Sequence, residues 1–251
     1  MRVTVDEALQ ASAGVDGWMT DGQGRRLYAA AARCRPGGRI VEIGSFRGRS
    51  TIVLASAAGP GVEVVAIDPH AGNDRGPQEL QGYADAARTD RAVFEANLAA
   101  AGVTSRVRHV AAFSDAAAAH GAVEDPIDVL YVDGAHRYAP ARADIRAWGD
   151  RVADGGTLLI HDSFSSIGVT LAIGRQLVAG RTFRYVGRSR SLAEYRADLA
   201  GAGPASRAAN ALRQLAQLPW FVKNVALKVA LTLGLGRLAK RLGRPAPEWP
   251  Y

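Results

Sequence analysis

From residue 39 onward the chain repeats one unit: a short apolar run, a turn, then a stretch of helical character. The strand candidates are Ile40–Ile43, Val62–Ile67, Val107–Val110, Ile127–Val132, Thr157–Ile160 and Phe183–Tyr185. Between them lie the helix candidates Ser50–Ala57, Thr89–Ala101, Ser114–Ala119, Ala139–Trp148 and Val169–Val178. Several runs are apolar throughout instead of alternating, as a strand covered by helices on both faces requires. Strand and helix in strict alternation predict an α/β fold with a Rossmann-like, doubly wound, mostly parallel sheet. Two short helices, around Val5–Ala11 and Met19–Arg33, precede it. Pro140 suits a first helical turn, Gly155-Gly156 reads as a turn into the next strand, and Ser114 or Asp115 reads as the cap of the alanine-rich helix.

The charge pattern divides the chain. Of its 251 residues, 48% are hydrophobic, the profile of a globular protein. The single cysteine, Cys34, excludes an internal disulfide and reads as a small core residue. Residues 1–200 contain no lysine and balance their arginines with acids. Beyond them stand Arg207, Arg213, Lys223, Lys228, Arg237, Lys240, Arg241 and Arg244 against Glu248 alone, which is the whole net charge of +7. A neutral body argues against nucleic acid as a partner. The first residues, MRVTVDEALQ, have no apolar stretch of leader length, so a cytoplasmic body is expected. Three regions follow: N-terminal helices on the substrate side (1–38), a cofactor-binding domain (39–200) and a basic helical tail (201–251), with the linker at Gly201–Ser206.

In an open α/β sheet, ligands bind beyond the carboxyl ends of the strands. The first strand runs into Glu42-Ile43-Gly44-Ser45-Phe46-Arg47-Gly48-Arg49-Ser50-Thr51. Gly44 and Gly48 permit a tight turn and close backbone approach, and Ser50-Thr51 start a helix whose N-terminus favours anionic groups. Neither G-x-G-x-x-G nor G-K-[ST] is present. Glu42, two residues before the first glycine, would repel a pyrophosphate and suits a positively charged ligand. The second strand ends Asp68-Pro69-His70, where a carboxylate is placed to accept both hydroxyls of a ribose. Asp133-Gly134-Ala135-His136-Arg137-Tyr138 and His161-Asp162-Ser163 end two more. Polar or ionisable groups closing four strands at one edge point to a site instead of four helix caps.

The runs VEIGSFRGRST, AIDPH, DVLYVDGAHRYAPARADI and GGTLLIHDSFSSIGV resemble the class I S-adenosylmethionine-dependent methyltransferases. Within them the likeness is to the sugar-hydroxyl O-methyltransferases of macrolide and polysaccharide biosynthesis, over about residues 17–195. The resemblance implies that Gly44, Ser45, Phe46 and Gly48 hold the methionine part of S-adenosylmethionine. Its ammonium and sulfonium charges would account for Glu42. Asp68 would bind the ribose, with Pro69 and His70 beside it, and Phe113 and Ser114 would fall at the adenine.

Methyl transfer to a hydroxyl needs alignment and a base. His136, in its D-G-x-H context, is the expected general base beside Asp133. A divalent cation such as Mg2+ would lower the pKa of a bound sugar hydroxyl. Asp133 and Asp162 are the candidate oxygen ligands, with His161 standing where relatives often carry a second carboxylate. His161 itself reads as a hydrogen-bonding residue, and His109 and His120 as structural or exposed. Asp144 fits either substrate contact or a helix-surface ion pair, and Arg47 and Arg49 either an acidic acceptor or solvent. The alternatives are a phenol- or catechol-type O-methyltransferase, a nicotinamide-dependent oxidoreductase and a non-catalytic cofactor-binding domain. No G-x-S-x-G, H-E-x-x-H or C-x-x-C motif supports a serine hydrolase or zinc site.

In the tail, Leu218–Leu242 is apolar, basic and free of acids. Lys223, Lys228, Pro219, Gly234 and Gly236 argue against a membrane span. Residues 218–244 are expected to lie on an anionic membrane surface, peripheral at its inner face, with Trp220 and Phe221 inserted. The competing reading is a helix that covers the body or a second subunit in a homo-oligomer.

Overall fold

The computed structural model describes residues 3–72 and 88–234. Helices α1 (Val5–Ser12) and α2 (Asp21–Ala32) lead into β1 (Arg39–Ile43), α3 (Arg49–Ala57) and β2 (Glu63–Ile67). Then come α4 (Asp90–Ala100), β3 (Val107–Val110), α5 (Ser114–Ala119), β4 (Ile127–Val132), α6 (Tyr138–Gly149), β5 (Val152–Ile160) and α7 (Ile167–Ile173). A π-helical turn, Gly174–Val178, precedes β6 (Arg184–Ser189) and β7 (Leu192–Arg196), and α8 (Pro204–Leu215) and α9 (Leu218–Thr232) follow. The strands form a seven-stranded sheet in the order β3-β2-β1-β4-β5-β7-β6. The first five run parallel, whereas β7 lies antiparallel to β5 and to β6. The expected α/β architecture is therefore present.

Alternation along each strand explains why the runs are apolar throughout. Val41 and Ile43 of β1, Leu130 and Val132 of β4 and Leu158 of β5 point to one face, where Ile145, Trp148 and Ile173 from α6 and α7 cover them. Ile40, Val64, Val129, Tyr131 and Leu159 point to the other, under Leu27, Ile52, Leu54 and Phe94 from α2, α3 and α4. Neither face touches water, so neither spelling can be polar.

Three local expectations differ from the structure. Strand β7 was not anticipated, because Glu194 and Arg196 interrupt its apolar pattern. Glu194 is buried all the same, and Arg26 and Arg33 of the N-terminal region reach its carboxylate at 2.5 and 2.6 Å. Gly155-Gly156 is not a turn before a strand; both residues lie inside β5, where Gly155 takes a φ of 70° and the pairing with β4 shifts register. The α5 helix carries no side-chain cap, since the Ser114 hydroxyl donates to Asp144.

The tail packs on the body. Asn210 of α8 accepts from Tyr185 N at 2.7 Å and donates to Phe183 O at 3.1 Å, and Asn224 of α9 donates to Phe164 O at 3.2 Å. Trp220 and Phe221, expected in a membrane, pack against the sheet core instead, and the Arg188 guanidinium lies 3.8 Å from the Trp220 ring centre. Among the described residues no helix is long and apolar enough to cross a membrane. The part of 218–244 beyond residue 234 lies outside the described residues.

Candidate active site

At the carboxyl edge of β1, β2, β4 and β5 the chain turns abruptly and leaves a cavity of about 910 Å³. Gly44 and Gly48 make the first of these turns possible. Gly44 has a φ of 83°, and a Cβ there would stand 2.2 Å from the carbonyl oxygen of Asp133; Gly48 has a φ of 89° and abuts the Phe94 ring. The turn is held from β2: Asp68 Oδ2 accepts from Ser45 N at 2.9 Å and Phe46 N at 2.8 Å, and Oδ1 accepts from His70 N at 2.7 Å. A carboxylate offers about four acceptor positions, so three bonds to backbone leave Asp68 room for about one ribose hydroxyl instead of two. His70 is more than a loop residue. Its Nε2 stands 2.7 Å from Phe46 O, and its ring packs with those of Phe94 and His109.

Of the expected cofactor residues, Gly44, Ser45, Phe46, Ser50, Asp68, Pro69, His70, Phe113, Ser114 and Asp133 line the cavity. Glu42, Gly48 and Thr51 do not. Glu42 faces the helix side of β1, fully buried, and accepts hydroxyl bonds from Ser50 and, at 2.5 Å, from Thr51. Burial pushes its pKa up to about 8, the two hydroxyl bonds opposing only part of the shift. The carboxyl group braces the turn from behind and does not reach the cavity wall.

The chemistry-bearing residues gather at β4 and β5. Asp162 Oδ2 lies 2.9 Å from His136 Nε2 and 3.5 Å from His161 Nδ1, and Ser165 Oγ donates to Asp162 Oδ1 at 2.7 Å. Asp133 Oδ1 lies 3.1 Å from His161 Nδ1, and its Oδ2 accepts the Tyr131 hydroxyl at 2.6 Å. Burial lowers the His136 pKa, but the bond and charge of Asp162, with the charge of Asp133, outweigh it and the net shift is upward. His161 is completely buried, yet the same two carboxylates raise its pKa well above the ordinary imidazole range. Burial alone would raise the Asp162 pKa; His161 and His136 together carry it well below the usual carboxylate range. On the far side of His161, Nε2 faces the Gln23 amide nitrogen of α2 at 3.3 Å.

These contacts decide the metal question. A cation needs carboxylate oxygens turned toward a common point, and here the oxygens of Asp133 and Asp162 lie against Tyr131, His161, His136 and Ser165. Among the described residues no group of three His, Cys, Asp or Glu side chains is arranged to hold a metal ion. Asp133, Asp162 and His161 therefore do not fit the role of Mg2+ ligands: the histidine standing in place of a second carboxylate supplies the neutralising partner itself.

The residues left open between two readings are now placed. Asp144, neither an ion-pair partner nor exposed, lies in the cavity wall beside Ser114, and burial pushes its pKa up to about 6. Arg47 pairs with Asp90 at 2.9 Å and with Asp16, while Arg49 donates to Gly17 O at 3.0 Å. Trp18 and Met19 close the N-terminal side. Val225, Lys228, Val229, Thr232 and Leu233 bring α9 into the cavity wall. Residues 73–87, which follow the end of the second strand, lie outside the described residues.

Comparison with known proteins agrees with this geometry. Residues 41–163 match the family described as Methyltransferase domain. Among solved structures, the O-methyltransferase TomG from Streptomyces achromogenes, involved in tomaymycin synthesis and solved with SAM, is 19% identical; the match covers 76% of this chain and 86% of TomG with a TM-score of 0.51. The O-methyltransferase NovP is 15% identical over 71% of this chain and 80% of its own, with a TM-score of 0.58. An O-methyltransferase from Bacillus cereus, solved with SAH, is 16% identical over 76% and 88%, with a TM-score of 0.50. At such identities the structures show a shared fold, and the matched domain spans the strands that build the cavity. Residues 41–163 thus match a methyltransferase domain, built on a fold shared with O-methyltransferases solved with SAM and SAH.

Proposed function

We propose that the protein is an O-methyltransferase that methylates a hydroxyl of a sugar or glycoside, with His136 as general base. The observation that carries this reading is the His136–Asp162 pair, 2.9 Å apart, facing the same cavity as the glycine turn. When bound, S-adenosylmethionine supplies an electrophilic methyl group. Gly44, Ser45 and Phe46 form its cradle, Asp68 reaches a ribose hydroxyl, and Phe113, Ser114 and Asp144 form the wall where the resemblance places adenine. The cradle fits because backbone, not side chain, lines its closest approach at Gly44.

The His136 tautomer that donates Nε2–H to Asp162 carries its lone pair on Nδ1, which takes the hydroxyl proton as the oxygen attacks. Asp162 fixes the ring and stabilises the imidazolium that forms. A positioned base of this kind contributes about 10²–10⁴-fold. Asp133, tied to Tyr131 and His161, holds the loop that carries His136. No step passes through a metal, since the donors that would bind one are engaged with each other.

Titration with S-adenosylhomocysteine, followed by transfer of labelled methyl to a panel of glycosides and phenols, tests the reading. Binding, with transfer to glycosides that His136→Ala abolishes, supports it. Absence of binding refutes the methyltransferase site, and transfer confined to phenols replaces the acceptor class. Full turnover by His136→Ala would remove the base.

A further inference from the structure

Helix α9 has three distinct sides. One is locked to the body by Asn224, Trp220 and Phe221. A second walls the cavity, where Lys228 lies under the influence of Asp162 and burial draws its pKa down. The third is an apolar stripe at helical spacing: Leu218, Val222, Val229 and Leu233, exposed by 41, 63, 53 and 77%. Because Val229 and Leu233 belong to both the stripe and the cavity wall, the stripe runs without a break into the mouth. Across the mouth, Ile167 and Leu171 of α7 are each 57% exposed, one helical turn apart, and Ile167 also lines the cavity.

An apolar rim of this extent marks a binding surface, and the charge pattern of the sequence around it identifies the occupant. Between Asp198 and Glu248 the sequence has the eight cations named above and no acid. A protein partner would require no such bias, whereas an anionic bilayer rewards each cation near its surface and receives apolar side chains into its interface. We propose that the stripe of α9 and the tip of α7 seat on an anionic lipid surface, so that the active-site mouth opens against the bilayer and takes its acceptor hydroxyl from a lipid-anchored molecule. The surface differs from a membrane insertion through Trp220 and Phe221, which the core holds. The part of the inference that concerns the acceptor rests on the methyltransferase reading given above; the part that concerns lipid does not.

The test is sedimentation of the full chain with vesicles of phosphatidylglycerol and phosphatidylcholine in equal amounts, and with phosphatidylcholine alone, S-adenosylhomocysteine affinity being measured in parallel. The wild type should sediment with the anionic vesicles only. The double variant Leu218→Glu/Val222→Glu, whose sites line no part of the cavity, should partition at least tenfold more weakly with unchanged S-adenosylhomocysteine affinity. Lys223→Glu, exposed on the same helix, serves as a second variant should the first fail to fold, and should also bind less. A bimane label on Leu171→Cys, in a Cys34→Ser background, should be quenched by brominated lipid. Equal sedimentation of wild type and variants, or an unquenched label on sedimenting protein, overturns the proposal. So does a lipid-free dimer that the double variant dissolves, which would seat a second copy on the stripe. Vesicle binding without S-adenosylhomocysteine binding would leave the lipid surface standing and refute the methyltransferase site instead.

Discussion

The buried carboxyl of Glu42 gives a prediction that separates two accounts of the glycine turn. In the folded protein its pKa is pushed up to about 8, against the ordinary 4.5 of a glutamate carboxyl. An acid whose folded pKa is raised stabilises the fold below the unfolded pKa, and that contribution is lost as pH climbs toward the folded one. Over the interval the gap is worth about 5 kcal/mol at ~1.36 kcal/mol per pH unit, and from pH 5 to pH 8 it amounts to about 4 kcal/mol. Glu42→Gln keeps the shape: its amide oxygen accepts from one of the Ser50 and Thr51 hydroxyls and its nitrogen donates to the other. The variant has no proton to lose, so its stability should stay level where the wild type declines. For a chain of this size ~2–4 °C of melting temperature accompanies each kcal/mol. Thermal unfolding at pH 5 and pH 8 should therefore show the variant gaining about 10 °C on the wild type between the two. S-adenosylhomocysteine affinity should stay within about threefold, because a neutral acid behind the turn attracts no cation. Parallel melting profiles would show that the carboxyl is already ionised when folded. A tenfold loss of affinity would show its charge acting on the ligand after all, and either result refutes the reasoning.

Three more outcomes are expected. Gly44→Ala places a Cβ 2.2 Å from the Asp133 carbonyl at a φ of 83°, and chemical denaturation should register a loss of about 2–4 kcal/mol with weaker S-adenosylhomocysteine binding; a loss below about 0.5 kcal/mol would contradict the close approach. Asp162→Asn should lower kcat/KM by about 10²–10⁴ while sparing S-adenosylhomocysteine affinity. Without the carboxylate that raises the His136 pKa, the acid limb of its pH–rate profile should move to lower pH; an unmoved limb would assign the base elsewhere. Methyl transfer should persist in EDTA and gain nothing from added Mg2+, and a metal-restored rate would overturn the donor-set argument.

The parallel half of the sheet was legible because its cause is local: strands with helices on both sides must be largely apolar, as β1, β2 and β4 are. Strand β7 was hidden because its cause is remote. Glu194 looks like a surface residue until Arg26 and Arg33, far away in sequence, fold over it. The same distinction holds at the site. That acids and histidines close the strands can be read residue by residue, but that Asp162 stands beside His136 and Asp133 beside His161 depends on how neighbouring loops cross. Tail helix α9 shows a third case. Apolar and basic residues with no acid point to a membrane but do not reveal that one side of the same helix is held by the body. Asn210, Gln214 and Asn224, polar residues on otherwise apolar faces, were the available signal for docking, since each is buried against a backbone carbonyl of the body.

Among the described residues the non-glycine positions with positive φ are Phe46, His70, Asp162, Phe164 and Arg190. The first three line the cavity, each just past a different parallel strand, and Phe164 lies two residues beyond Asp162. A left-handed conformation costs an L-residue about 1–2 kcal/mol, and such strain persists only where the surroundings over-determine it. Here they do: Asp68 holds the amides of Ser45, Phe46 and His70, His70 in turn meets Phe46 O, and Asp162 is gripped by two histidines and a serine. The strain and its restraints thus form two clusters, one around Asp68 and one around Asp162. Loosening the turn at Asp68 should displace Phe46 and His70 before it reaches the core. A substrate entering this cavity meets side chains already aimed, and little of its binding energy goes into arranging them.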